Sequence, residues 1–207
     1  MRIVKTPEQE GVVKYTVKHE STRIDLPAEM GELLSERRRL HALGLIGADA
    51  QGVGYGNLSI RLYSSPCFLI TCSQSSGLTE VDQRHFAKVT VIDLDKNFLR
   101  SIGGRPPSSE ALTHAALYQV NGAIRAVAHV HSHRIWSTCR HHLPTTRDDV
   151  LYGTPAMGQE MIRLHKRQAL GRQGVVVMGG HQDGVIAFGP TLGEAVGEIL
   201  KLTSEGH

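Results

Sequence analysis

The sequence predicts an α/β fold in which helices pack on a largely antiparallel sheet. Helical and β-type periodicities mix irregularly along the chain, and two β runs join through a tight hairpin, which argues against a doubly wound parallel sheet. With 207 residues, 40% of them hydrophobic and 21% charged, the chain can bury one substantial core. A polar, mixed arm at 1–25, extended or mobile and packing only in part, is expected to precede a single domain at 26–207.

From Pro27 to about Leu43 apolar residues recur at helical intervals, with Gly44 where a helix stops. The run Arg37-Arg38-Arg39 lies beside Glu32 and Glu36 and reads as a solvated face. A glycine-rich turn leads into a strand in which Leu58, Ile60 and Leu62 alternate with polar residues, and 67–72 is the next strand. Residues 73–82 form a loop, 89–95 a strand, and 102–109 a loop stiffened by Pro106 and Pro107. Helical periodicity returns at 110–120 and closes at Asn121-Gly122; 125–133 is a strand and 154–170 a helix. Residues 175–189 read as a hairpin turning through Gln182-Asp183-Gly184, and Thr191 with Glu194 makes a capping box for the last helix.

The net charge of +3 is spread among twenty carboxylates, which gives little reason to expect nucleic acid and suits a small anionic substrate. Cys67, Cys72 and Cys139 are odd in number and form no CxxC pair, so neither a disulfide framework nor a cysteine zinc site is suggested and a cytoplasmic setting fits. No run approaches about 18 apolar residues, and the first residues, with Glu8, Glu10 and Lys14, lack the apolar stretch of a signal peptide. Neither membrane insertion nor secretion is expected. Twelve histidines is the unusual count, because imidazole is the commonest metal ligand.

His129 and His131 are two apart in a β run, so both side chains leave one face, close enough to share an ion. His181 follows Gly179-Gly180, where a small-residue turn can aim a third imidazole inward. Three ligands leave a position open for substrate, the mark of a catalytic site; for the pair alone, a solvent-facing or carboxylate-bonded role is an equal reading. His133 continues the same parity and is assigned to the surface. Glu110 opens a helix after Pro107-Ser108-Ser109, where it either caps the helix or reaches the metal as a general base beside an anion site made by Ser108 and Ser109. His114, one turn later, takes a supporting or structural role.

Taken in order, GNLSIRL, SSGLTEVD, PSSE, HAALYQVNGAIRAVAHVHS and GHQDGVIAFGPTLGEA resemble the class II aldolase/adducin family over roughly residues 28–200. The resemblance implies a three-layer α/β/α sandwich around an antiparallel sheet, assembled as a homotetramer with active sites between subunits. It implies zinc, with manganese or cobalt as alternatives, on His129, His131 and His181, and Glu110 as acid/base. A substrate-phosphate cradle falls on Gly56, Asn57, Ser76, Gly77, Ser108 and Ser109. The implied reaction is aldol cleavage of a sugar phosphate or related hydroxy-carbonyl compound through a metal-stabilised enediolate.

Other branches of the family stay open. DDVLYG resembles the part of ribulose-phosphate 4-epimerases that supplies a catalytic aspartate across the subunit interface, which maps onto Asp149. Against that branch, those epimerases carry aspartate where this chain has Glu110, and residue 207 leaves little room for their C-terminal catalytic elements. Methylthioribulose-phosphate dehydratases share the triad and the glutamate. Tyr152 is either an interface proton donor or a packed tyrosine. Where relatives read Thr-Pro-x-Gly, this chain has a longer loop from Thr71 to Gly77 without the proline, which reshapes the phosphate turn. Adducin-type members use the fold for protein interaction, with the metal histidines lost; here all three remain.

Overall fold

A computed structural model describes residues 14–25, 27–62, 66–168 and 170–204. In chain order the elements are β1 (Thr16–Ser21), α1 (Met30–Ala42), β2 (Gly47–Ala48), β3 (Gly54–Tyr55), β4 (Asn57–Arg61), β5 (Phe68–Thr71), β6 (Phe86–Asp93) and β7 (Phe98–Gly103). They continue with α2 (Ala111–Val120), β8 (Ala126–His131), α3 (His133–Cys139), α4 (Pro155–Gln168), β9 (Gly174–Val177), β10 (Gly184–Gly189) and α5 (Leu192–Ser204). Among the described residues, eight strands form one sheet in the order β1-β7-β6-β5-β4-β8-β10-β9, and β2 pairs with β3 in a separate ribbon. Every pairing in the main sheet is antiparallel except β1 with β7. The expected mixed fold with a largely antiparallel sheet is what the chain adopts.

Alternation along the strands makes two cores, because neighbouring side chains leave opposite faces of a sheet. Phe68, Ile70, Val127, Ile186 and Phe188 pack with Leu112, Ala116, Met157 and Met161 of α2 and α4. Leu58, Ile60, Leu69, Ala126, Ala128, Val130, Val185 and Ala187 pack with Leu33 and Leu40 of α1 and Leu192, Val196 and Ile199 of α5. Helices therefore cover both faces, and each fully buried leucine contributes on the order of 2 kcal/mol of apolar transfer free energy. His129 has the parity of Val127 and so belongs to the α2/α4 side.

Several elements depart from expectation. The helix α1 begins at Met30, since Pro27 to Met30 forms a turn closed by the Met30 amide on the Pro27 carbonyl at 3.0 Å; it ends, as read, at Gly44, whose φ is +67°. The arm at 1–25 is, in its described part, an edge strand with Tyr15 and Ile24 buried, and residues 1–13 lie outside the described residues. β7 is a strand the sequence reading does not anticipate. It pairs with β6 across a turn where Asp93 accepts the Lys96 amide at 3.0 Å and Asn97 takes φ +50°. The strand expected through residue 133 stops at His131, because Ser132 caps α3 by accepting the Ile135 amide at 3.3 Å. His133 thus lies on a helix, exposed and 2.8 Å from Asp183, which leaves it at the surface as read. The box at α5 is present, with Thr191 Oγ1 accepting the Glu194 amide and Glu194 accepting the Thr191 amide, both at 3.1 Å.

Arg37 overturns the reading of a uniformly solvated arginine face. Its position falls between Leu33 and Leu40 on the inward stripe of α1, and it is completely buried. The guanidinium donates to the carbonyls of Ser75 (2.9 Å), Ser76 (3.2 Å) and Leu78, tying α1 to the long loop after β5. Arg38, by contrast, is exposed and pairs with Glu80 at 3.2 Å. Replacing Arg37 with Met strands several carbonyls without a donor and is expected to cost roughly 3 kcal/mol in denaturant unfolding, whereas Arg38→Met should cost less than about 1 kcal/mol. Equal effects at the two positions would contradict this account of the loop.

Candidate metal centre

The site forms where β4, β8 and β10 run side by side. Asn57 of β4 lies opposite His129 of β8, and Ile186 and Gly184 of β10 lie opposite His129 and His131. Hydrogen-bonded neighbours on both sides hold the His129–His131 backbone rigid, so the two rings leave one face with centroids 5.2 Å apart. The connection between β9 and β10 runs from 178 to 183, longer than a tight turn. It closes through the Met178 amide on the Gly184 carbonyl and the His181 amide on the Met178 carbonyl, and Asp183 adopts φ +65°. This loop aims His181 at the pair, with centroids 5.0 Å from His129 and 4.7 Å from His131.

The glycines before His181 serve a close approach. A Cβ on Gly179 would lie 2.3 Å from the Thr146 carbonyl oxygen, and one on Gly180 would lie 2.0 Å from that of Val150. The segment 146–152 therefore lies flat against the loop and stacks Tyr152 on the His181 ring at 4.3 Å. Gly56 is similarly constrained, with φ +76° and only 2.5 Å from a built Cβ to Ile46 Cγ2.

One ring nitrogen from each of the three histidines lies within 4.8 Å of the others. The Asn57 amide meets His129 Nδ1 at 3.2 Å, which leaves Nε2, buried and without a hydrogen-bond partner among the described residues. Burial first, then the fields of His181, His131 and His114, drives the His129 pKa well below its ordinary value. A neutral imidazole with its lone pair directed at two others is what a divalent cation requires, so the donor set fits a metal. Glu110 is 2% exposed and its carboxylate lies 3.7 Å from His181 Nδ1. It occupies the N-cap position of α2 but makes no side-chain cap.

A cleft opens beside these groups, lined among others by Gly56, Asn57, Ser76, Ser108, Ser109, Glu110, His129, Tyr152 and His181. Its two loops are zipped together by the Ser108 amide on the Thr71 carbonyl (3.1 Å) and the Ser73 amide on the Pro106 carbonyl (3.0 Å). Ser76 Oγ donates to the Gly56 carbonyl at 2.6 Å, and Ser108 Oγ accepts the Glu110 amide at 3.3 Å. Cys72 and Gln74 also line the cleft and were not anticipated; burial pushes the Cys72 thiol up to about 12, so it stays protonated. Gly77 is exposed against Ala48 and does not line the cleft. Asp149 points outward, 3.8 Å from Arg147, and does not line its own chain's cleft, whereas Tyr152, read either as an interface proton donor or as a packed tyrosine, is buried and lines it. His114 is fully buried behind the site, sharing a 2.7 Å hydrogen bond with Ser59, which also meets the Tyr118 hydroxyl at 2.6 Å. Burial lowers its pKa to about 3 and keeps it neutral.

The chain resembles 3-oxo-tetronate 4-phosphate decarboxylase of Haemophilus influenzae, with 35% identity over 79 residues, which are 38% of this chain and 34% of that protein. The likeness thus spans about a third of the curated relative. Among solved structures, L-fuculose 1-phosphate aldolase superposes with a TM-score of 0.64 at 21% identity, over 88% of this chain and 86% of that one. YgbL of Klebsiella pneumoniae, named as a candidate aldolase/epimerase/decarboxylase, superposes with a TM-score of 0.61 at 22% identity over 83% of both chains. These structural likenesses show a common fold. The family model of the class II aldolase and adducin N-terminal domain matches residues 38–204, and the chain accordingly belongs to the class II aldolase/adducin family.

Proposed function

We propose that this protein is a metal-dependent lyase that breaks a carbon–carbon bond next to a carbonyl in a small, phosphorylated hydroxy-carbonyl compound. The supporting observation is the convergence of His129, His131 and His181 beside the buried Glu110 carboxylate in a serine-lined cleft. A divalent cation held by the three rings, zinc in the first place and manganese or cobalt as alternatives for the same donors, supplies electrophilic stabilisation of negative charge developing on the substrate's oxygen.

The protein's own groups do the rest. In aldol cleavage the hydroxyl β to the carbonyl loses its proton to Glu110 as the carbon–carbon bond breaks and an aldehyde departs. Glu110 then returns the proton to the remaining carbon, so one carboxylate serves as base and acid. Ser108 Oγ accepts the Glu110 amide and keeps its own proton to donate to an anionic group, with Ser109, Ser76 and the Gly56-Asn57 turn completing the cradle. Tyr152, held on the His181 ring, offers its hydroxyl as a hydrogen-bond donor to the oxygen of the departing aldehyde. Asp149, exposed and away from its own cleft, suits a role in a neighbour's cleft within a cytoplasmic homotetramer. Among the described residues no helix is long and apolar enough to cross a membrane.

The resemblance to 3-oxo-tetronate 4-phosphate decarboxylase favours a second reading with the same parts. In decarboxylation the departing fragment is carbon dioxide, which needs no base, and Glu110 acts only as the acid that protonates carbon. Assaying the zinc-loaded protein on L-fuculose 1-phosphate and on 3-oxo-tetronate 4-phosphate, with aldehyde and carbon dioxide both quantified, separates the two; turnover of neither by a metal-loaded protein argues against the lyase reading.

Two variants test the site itself. His129→Ala, purified without a metal-affinity step, should remain folded and lose the bound metal seen by mass spectrometry in the unmodified protein; unchanged stoichiometry contradicts the ligand set. Glu110→Gln should keep the metal and lose turnover by at least about 10²-fold. Retained turnover would remove Glu110 from the mechanism.

A further inference from the structure

The family match begins at residue 38, yet residues 14 and 15 reach the walls of the cleft. The edge strand β1 runs beside β7 with Thr16 opposite Phe98. The Thr16 amide donates to the Asn97 carbonyl at 2.9 Å, and the Asn97 side chain donates to the Lys14 carbonyl at 2.9 Å. These bonds fix the chain just ahead of β1 over the start of α2.

Tyr15 is buried in the core beneath α2 and α4. Its hydroxyl lies 2.8 Å from the Ser108 carbonyl and 3.2 Å from that of Pro107, the two residues that lead into Ser109 and Glu110. Burial, reinforced by Cys72 and Glu110 nearby, holds the phenol protonated far above its ordinary range, so it serves these carbonyls as a donor. Lys14 acts on the other wall. Its ammonium sits 3.7 Å from the centroid of the Tyr152 ring and donates to the Tyr152 carbonyl at 3.3 Å, and Tyr152 is the residue stacked on His181.

We propose that Lys14 and Tyr15 are positioning residues of the active site, Tyr15 setting the Ser108-Ser109-Glu110 turn and Lys14 setting Tyr152 against His181, so that a segment preceding the matched family region completes the cleft. The proposal rests on the lyase reading, with its serine cradle for an anionic substrate group. A backbone turn held by a buried donor keeps its geometry without reorganising when ligand arrives, and loss of that donor weakens binding at the turn while leaving the three imidazoles in place.

The test uses the full chain loaded with zinc and inorganic phosphate as the probe. Tyr15→Phe should keep its zinc and raise the phosphate Kd by roughly threefold to tenfold, the equivalent of one net hydrogen bond. Lys14→Met should weaken phosphate binding, and Lys14→Arg should restore it, because a guanidinium can also lie over a tyrosine ring. Should Tyr15→Phe not fold, the Lys14 pair decides. Phosphate affinities within about twofold of the unmodified protein, with zinc retained, overturn the inference alone. An unmodified protein that holds zinc but binds no phosphate overturns the cradle reading, and the inference falls with it.

Discussion

An imidazole sealed inside a protein with one nitrogen lacking a partner is a standing cost, about 1–3 kcal/mol for an unmet polar atom. His129 is in that position: it is 1% exposed, its Nδ1 is engaged by Asn57, and its Nε2 faces two other rings. Burial makes the charged form still more expensive, so protonation offers no relief. Metal ligation would resolve both difficulties together, because a cation takes the lone pair and is compatible with a neutral, desolvated ring. The central strands β4, β8 and β10 exist in a register that enforces this arrangement, and the remaining parts of the cleft are hung from it.

Around that centre the walls are loops whose carbonyls need donors. Arg37 supplies them from α1 for the 75–78 loop, and Tyr15 supplies them from the head of β1 for the 107–108 turn. Backbone approach at Gly179 and Gly180 does the same for the segment carrying Tyr152 without any side chain, by removing the Cβ that would hold the two strands of backbone apart. The cleft is thus built from contacts between segments far apart in sequence, which hold the buried Glu110 carboxylate 3.7 Å from His181.

Much of this was legible in the sequence for a physical reason. Period-two alternation placed His129 and His131 on one face, a glycine pair flagged the His181 turn, and proline followed by serines marked the start of α2 with Glu110. What stayed hidden were features that depend on the partner and leave no local trace. Arg37 looks like its exposed neighbour Arg38 unless its place on the Leu33–Leu40 stripe is weighed above its charge. β7 alternates in burial, but its inward positions include Ser101 and Gly103 while Phe98 and Ile102 take half-buried ones, which hides the pattern, and Tyr15 sits in a polar stretch whose value comes only from what lies across the sheet. Gly77 was placed in the cleft from a motif, but the lengthened loop turns it out against Ala48.

X-ray absorption at the metal edge of the zinc-loaded protein probes the central claim most directly. The account predicts three imidazole nitrogens at about 2.0–2.1 Å with oxygen scatterers completing the shell. A sulfur scatterer near 2.3 Å, or fewer than three imidazoles, would contradict it.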